Sequence, residues 1–138
     1  SIENYTIAAR FSITTAHFIA MILSWMLIKS NVLINLSDNP SDAYKEGAFS
    51  EVEGAFAFSL FCFIADYLGI FMGHSLFDPR VNAIQIICHF VGGLFMTWFI
   101  LGRWHYKTLW PIVLCSSFIT GITELCVVFA TYVLKIVV

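Results

Sequence analysis

The chain has 138 residues, of which 59% are hydrophobic and 12% charged, and its formal net charge is −2. Soluble domains carry about 25% charged residues, so this composition excludes an ordinary soluble domain and indicates an integral membrane protein. The small net charge offers no basic surface for nucleic acid. The length suits one helical bundle without an added soluble domain, and we predict a single tetraspan domain over residues 1–138.

The first apolar stretch covers residues 11–28 and carries His17. Arg10 precedes it, which is also the arrangement at the start of a secretory signal peptide. The apolar run is longer than the roughly 7–15 residues of a signal-peptide core, however, and no small-residue cleavage site follows it. Because about 20 mostly apolar residues are needed to cross a bilayer, we interpret the stretch as a retained membrane span.

The first connection, residues 29–53, is long and acidic. Ser41 or Ser50 is a candidate N-cap for a short helix within it. We predict that most of this connection is a solvated linker, with docking of a partner protein as the alternative. Its carboxylates are Asp38, Asp42, Glu46, Glu51 and Glu53.

The other spans are joined by short connections. The second span is predicted at residues 54–72, the third at 81–101 and the fourth at 109–133, with turns at 73–80 and 102–108. Short connections favour antiparallel neighbours, so we expect spans 2 and 3, and spans 3 and 4, to lie side by side. The predicted fold class is an all-α membrane protein, an antiparallel bundle of four transmembrane helices.

In this topology, both chain ends and the second connection lie on one side of the membrane, here called side A. The first and third connections lie on the opposite side, side B. Lysine and arginine are divided almost evenly, so the positive-inside rule does not set the orientation. Tryptophans prefer the headgroup region, and we predict that four of them anchor the protein at the side B interface: Trp25, Trp98, Trp104 and Trp110.

Each predicted span contains one histidine or acidic residue, and the four fall at nearly the same depth: His17, Asp66, His89 and Glu124. Ionisable groups are costly in hydrocarbon, so they usually face one another or a polar cavity. We therefore predict a single buried polar layer in which histidine–carboxylate pairs meet between spans.

Three interpretations of this layer stay open. The first is structural, with each interhelical bond contributing about 0.6 kcal/mol. The second is an ion or proton path, which such residues often mark in membranes, although no polar ladder continues toward side B. The third is a metal site of two imidazoles and two carboxylates, chemically suited to zinc or iron, although the Glu-x-x-His pairs of di-iron bundles are absent.

Small residues at a spacing of four allow helix backbones to approach each other. On this basis we predict helix-packing positions at Gly69, Gly73, Gly92, Gly93, Ser117 and Gly121.

The four cysteines lie in apolar stretches without a CxxC pair and are interpreted as packing residues. The chain has no Gly-rich phosphate loop, activated serine or cysteine motif, or HExxH. We therefore predict no catalytic residue, no cofactor and no metal ligand.

Short residue patterns that are typical of one membrane-protein family are distributed from the first span to the last. They are Arg10-Phe11 with Ala16-His17, Asp66-Tyr67-Leu68-Gly69, Ser75-Leu76-Phe77, His89, Phe99-Ile100, Arg103-Trp104, Trp110, Cys115-Ser116 and Thr123-Glu124. Together they resemble the transmembrane protein 107 family, tetraspan proteins of the ciliary transition zone. The resemblance covers nearly the whole chain and is densest over residues 73–124, whereas the first connection does not match.

The resemblance implies a non-enzymatic membrane scaffold that recruits partner membrane proteins at the ciliary gate, with side A cytosolic. The alternative is an accessory subunit of a large membrane complex, such as a respiratory or ATP-synthase assembly of the mitochondrial inner membrane. A second alternative is a small ion or proton transporter. The expected partners are the lipid bilayer and other membrane proteins, and neither nucleic acid nor a small-molecule substrate is expected.

Overall fold

Four long helices account for most of the chain. The computed structural model describes residues 2–135 and contains no strand within them. Each helix is long and apolar enough to cross a membrane, which confirms the predicted class. The helices are α1 (Ile2–Ile34), α2 (Asp42–Met72), α3 (Pro79–Leu101) and α4 (Tyr106–Tyr132).

The helices extend beyond the predicted spans, and the first connection is correspondingly short. The structure contradicts the long linker predicted for residues 29–53, because most of that segment is helical and α1 and α2 are separated only by residues 35–41. Ser41 caps α2 itself, since its side chain accepts a hydrogen bond from the Tyr44 N–H at 3.2 Å. Ala48 and Val52 are buried in the apolar core, so packing rather than overall hydropathy extends the helix.

The closest helix pair is α1 with α3, and these two helices run parallel. Arg10 contacts Asn82 and His17 contacts His89, so the same offset of 72 residues holds along the pair. Gly93 permits the approach, because a Cβ built there would lie 3.5 Å from the His17 Cα. The two helices in closest contact, α1 and α3, are therefore not consecutive in the chain, since α2 lies between them in sequence.

The remaining contacts place α4 against both α2 and α3, and α2 against α1. By contrast, α2 and α3 lie diagonally opposite, and the predicted side-by-side packing of spans 2 and 3 is wrong. The residues between these two helices, 73–78, can span the diagonal because an extended chain covers about 3.3–3.6 Å per residue.

The interior has two parts. Toward side B lies an apolar core that includes Met21, Phe63, Met96, Phe99 and Leu109, each 3% exposed or less. Toward side A the interior is polar. The ionisable residues are therefore enclosed by protein between this apolar core and the turn on side A.

Gly73 ends α2 in the left-handed conformation, with φ +77° and its N–H donating to the Gly69 carbonyl. The predicted packing of Gly73 against another helix is not observed, because a Cβ there would meet no atom within 4 Å.

We expect Gly73→Ala to destabilise the protein by about 1–2 kcal/mol, because alanine is strained in the left-handed conformation of this residue. Thermal unfolding in detergent would measure the loss, and unchanged stability would contradict the left-handed cap.

Candidate functional site

The structure places all four predicted layer residues inside the bundle. His17 is 1% exposed, Asp66 and His89 are 0% exposed, and Glu124 is 2% exposed. Each comes from a different helix. Their side chains meet in two groups, which polar residues overlooked in the sequence connect.

The first group is a row from α1 through α3 to α2. The Nδ1 atoms of His17 and His89 lie 3.0 Å apart, within hydrogen-bonding distance. The other nitrogen of His89, Nε2, lies 3.2 Å from Asp66 Oδ2, at ion-pair distance but without the alignment of a hydrogen bond. The Phe63 ring stacks on His89 and meets His17 edge-on, so it closes the row toward side B.

The second group centres on Arg10, which is 0% exposed. Its guanidinium forms an ion pair with Glu124 and donates hydrogen bonds to Asn82 Oδ1 at 2.9 Å and Ser75 Oγ at 3.0 Å. The Ser75 hydroxyl donates in turn to Glu124 Oε1 at 3.0 Å. Arg10 thus ties α1 to α3, α4 and the turn between α2 and α3.

Gln85 and Thr120 join the two groups. The Gln85 amide donates to Glu124 Oε1 at 3.1 Å and to the Thr120 carbonyl at 3.0 Å, while the Thr120 hydroxyl donates to Asp66 Oδ2 at 2.8 Å. The whole network is here called the polar cluster. Its members are Arg10, His17, Asp66, Ser75, Asn82, Gln85, His89, Thr120 and Glu124.

Five members of the polar cluster were not predicted: Arg10, Ser75, Asn82, Gln85 and Thr120. Arg10 was interpreted only as a charge flanking the first span, and Glu124 was expected to pair with histidine rather than arginine. Helical spacing carried a usable signal, because residues 7 apart share a face. Arg10 and His17 are 7 apart on α1, as are Asn82 and His89 on α3.

The electrostatics of the polar cluster favour a structural use. Arg10 and Glu124 form an ion pair, so each compensates the charge of the other. An uncompensated buried charge would cost several kcal/mol. Among residues 2–135, no three histidine, cysteine or acidic side chains are placed to hold a metal ion. The geometry therefore gives no support to the metal interpretation.

Four of the predicted packing glycines lie against a neighbouring helix: Gly69, Gly92, Gly93 and Gly121. A Cβ on Gly69 would lie 1.9 Å from Glu124 Oε2, and one on Gly92 would lie 2.5 Å from Ser116 Cβ and 2.6 Å from His17 Cε1. The missing side chains at Gly69 and Gly92 therefore create the space that two polar-cluster residues occupy.

Ser117 lies in a π-helical turn of α4, Leu114–Phe118, which the sequence analysis did not predict. Its hydroxyl is 3.1 Å from the Ser59 hydroxyl of α2, and both residues are buried.

We expect Ser117→Ala and Ser59→Ala each to lower the free energy of unfolding by about 0.6 kcal/mol, and the double variant to lower it by less than the sum of the two. Unfolding of all three variants in detergent checks this, with exposed Ser12→Ala as control. A stability loss in the double variant equal to the sum of the two single losses would contradict a hydrogen bond between Ser59 and Ser117.

The four tryptophans lie in the half of the bundle toward side B. Trp25 packs edge-on against Phe56, with ring centroids 5.0 Å apart. Trp98 is 53% exposed, whereas Trp104 and Trp110 are partly buried. Their role as interface anchors stays a prediction.

Comparison with known proteins is consistent with this architecture. The family model described as TMEM107, a transmembrane protein family, matches residues 6–128. Transmembrane protein 107 from Rattus norvegicus is 26% identical over 132 residues, covering 94% of this chain and 92% of the rat protein. The proteins of the same name from Mus musculus and Homo sapiens are 25% and 24% identical, with the same coverage. No solved structure gives a significant match. The chain therefore belongs to the TMEM107 family of transmembrane proteins.

Proposed function

We propose that this protein is a non-enzymatic scaffold of the ciliary transition-zone membrane, which organises or recruits partner membrane proteins. The observation that carries the proposal is the family match over residues 6–128. The residue patterns that resemble the transition-zone family extend over the same part of the chain. Side A, which holds the chain ends, is the cytosolic side in this proposal.

The geometry of the polar cluster supports a scaffold. Arg10 and Glu124 pair directly, and Phe63 together with the apolar core separates His17 and His89 from side B. Such an arrangement holds four helices in one register. The outward faces are then free to contact lipid and partner helices, and they present large exposed apolar side chains: Phe61, Phe71, Phe90, Phe95 and Trp98.

A second surface for partners lies on side B. The offset of 72 residues between α1 and α3 places Lys29 level with Leu101, the last residue of α3. The ring pairs Trp25–Phe56 and Phe18–Phe63 align α2 with α1 so that residue 52 lies at this level too. Residues 42–51 therefore project about 15 Å past the end of α3. This acidic extension offers carboxylates to a basic partner segment.

Localisation of the endogenous protein tests the proposal. A tag on the chain is expected to appear at the base of cilia, between the basal body and the axoneme, with transition-zone proteins recovered on purification. A signal in the mitochondrial inner membrane, with respiratory or ATP-synthase subunits recovered instead, would overturn the proposal in favour of the accessory-subunit alternative.

Charge reversal on the acidic extension tests how partners dock. Asp42→Lys combined with Glu46→Lys alters two exposed residues of the acidic extension, and Glu3→Lys is the control on side A. We expect the double variant to lose co-purifying partners while the control keeps them. Equal recovery in both would assign docking to the membrane-embedded faces.

Reconstitution addresses transport. Proteoliposomes containing the wild-type protein and Asp66→Asn are expected to show the same ion and proton leak as empty liposomes. A flux that is present in the wild type and lost in Asp66→Asn would contradict a purely structural polar cluster and favour the transporter alternative.

A further inference from the structure

An open groove of about 280 Å³ lies on side B between the ends of α1 and α3. It is separate from the polar cluster. Apolar side chains form most of its wall, and three polar residues, Ser30, Asn31 and Arg103, also line it. The apolar residues are Leu27, Ile34, Ile100 and Leu101.

Asn31 is the unusual member of this groove. Asn31 is only 4% exposed, yet neither the nitrogen nor the oxygen of its side-chain amide has a hydrogen-bond partner among residues 2–135. Its neighbour Asn35, by contrast, donates to three carbonyls, including that of Asn31 itself at 2.8 Å. Because buried amides are almost always paired, Asn31 is suited to a partner from outside the protein.

Arg103 supplies a positive charge at the same place. Its side chain is exposed and forms no ion pair within the described part of the chain. Its backbone is held at the groove, since its N–H donates to the Ile100 carbonyl at 3.2 Å. No carboxylate of residues 2–135 lines the groove, so the site favours an anionic group. Guanidinium groups bind phosphate oxygens through paired hydrogen bonds.

The polar and apolar residues of the groove lie at different heights along α1 and α3. The offset between α1 and α3 puts Asn31 level with Arg103, just beyond the end of α3 at Leu101. Leu27 lies one helical turn closer to the membrane centre. Asn31 and Arg103 therefore lie nearer side B than Leu27 and Ile100, which is the order of polar and apolar groups along a phospholipid, and Ile34 flanks the polar pair on its outer side.

We propose that this groove binds one membrane phospholipid from the side B leaflet. The lipid phosphate accepts hydrogen bonds from the Arg103 guanidinium and the Asn31 Nδ2 amide. The start of an acyl chain lies along Leu27 and Ile100. This inference does not depend on the ciliary role, because it concerns only the groove and its chemistry.

Lipid titration tests the proposal. The full chain, purified in detergent, is titrated with dioleoylphosphatidylcholine and with dioleoylglycerol, and bound lipid is counted by native mass spectrometry. The two lipids share their acyl chains and differ in the phosphate headgroup. We expect the phospholipid to bind about tenfold more tightly, as one charge-assisted hydrogen bond would give. Equal affinity for the two lipids would overturn the proposal.

Variants locate the binding. Arg103→Gln changes an exposed side chain and is expected to remove the tenfold preference for the phospholipid. Lys107→Gln removes another exposed positive charge of the same connection, outside the groove, and is expected to keep that preference. Equal effects of the two changes would mean non-specific attraction and would overturn the site.

Asn31→Leu provides a second readout. We expect it to weaken phospholipid binding while leaving thermal unfolding in lipid-free detergent unchanged or shifted upward, because it removes an unpartnered buried amide. Unaltered lipid affinity in this variant would contradict the assigned role of Asn31, whatever its effect on stability.

Discussion

Replacing Arg10 with leucine is expected to destabilise the folded protein by about 3–5 kcal/mol. Arg10 is completely buried and pairs with Glu124 while donating to Ser75 and Asn82. Among residues 2–135, Arg10 is the only cation that pairs with Glu124, and leucine would leave this carboxylate, which is itself 2% exposed, without that partner. The loss is therefore set chiefly by the uncompensated charge left on Glu124, and only partly by the missing contacts.

Reversible unfolding in detergent, followed by circular dichroism, measures this effect. The double variant Arg10→Leu/Glu124→Leu is expected to lose less stability than the sum of the single changes, because no unpaired charge is left. Arg80→Leu, an exposed position on the same side of the bundle, is the control and is expected to change stability by less than about 0.5 kcal/mol. Losses that simply add in the double variant would show that the two groups do not act as a pair.

Gly92→Ala is expected to have the second large effect, a loss of about 1–3 kcal/mol or more. The new Cβ would lie 2.5 Å from Ser116 Cβ and 2.6 Å from His17 Cε1. Ser116 lies on α4 and His17 on α1, so the added methyl group would force both neighbours of α3 to move. Displacing His17 would also disturb its contact with His89.

Gly47→Ala is the matched control, because a Cβ at Gly47 meets nothing within 4 Å and the residue is exposed on a helix. Alanine there is expected to stabilise the protein by up to about 1 kcal/mol through helix propensity. The two variants carry the same chemical change, so opposite shifts in unfolding midpoint would assign the loss to close helix packing. A similar midpoint for both would contradict the tight α1–α3–α4 contact.

These predictions share one physical basis. The apolar faces of transmembrane helices are about as hydrophobic as the lipid tails, so the hydrophobic effect does not hold four such helices in one register. Specific contacts between the helices are needed to fix that register. The polar cluster and the small residues beside it provide such contacts. In the proposed scaffold, a fixed register keeps the outward faces and the acidic extension of α2 in constant positions for partners.

Part of this organisation was predictable from sequence. Four apolar runs of sufficient length specify four crossing helices, because the bilayer leaves few other ways to satisfy backbone hydrogen bonds. The rise per residue is constant in a helix, so the similar depth of His17, Asp66, His89 and Glu124 was also accessible. The role of Gly73 was misassigned because spacing alone cannot distinguish a packing position from a helix cap.

Other features depended on the tertiary structure. Which helices touch is decided by the fit of residues far apart in the chain, as where Gly93 lets α1 approach α3. That fit places Arg10 beside Glu124, 114 residues away, and turns an arginine expected at the membrane surface into a buried partner. It likewise converts most of the acidic connection into helix, because buried Ala48 and Val52 gain packing that local hydropathy does not reveal. Sequence alone therefore determined the number of spanning helices and the depth of their ionisable residues, whereas side-chain complementarity between distant segments decided the full length of the helices, their neighbours and their pairings.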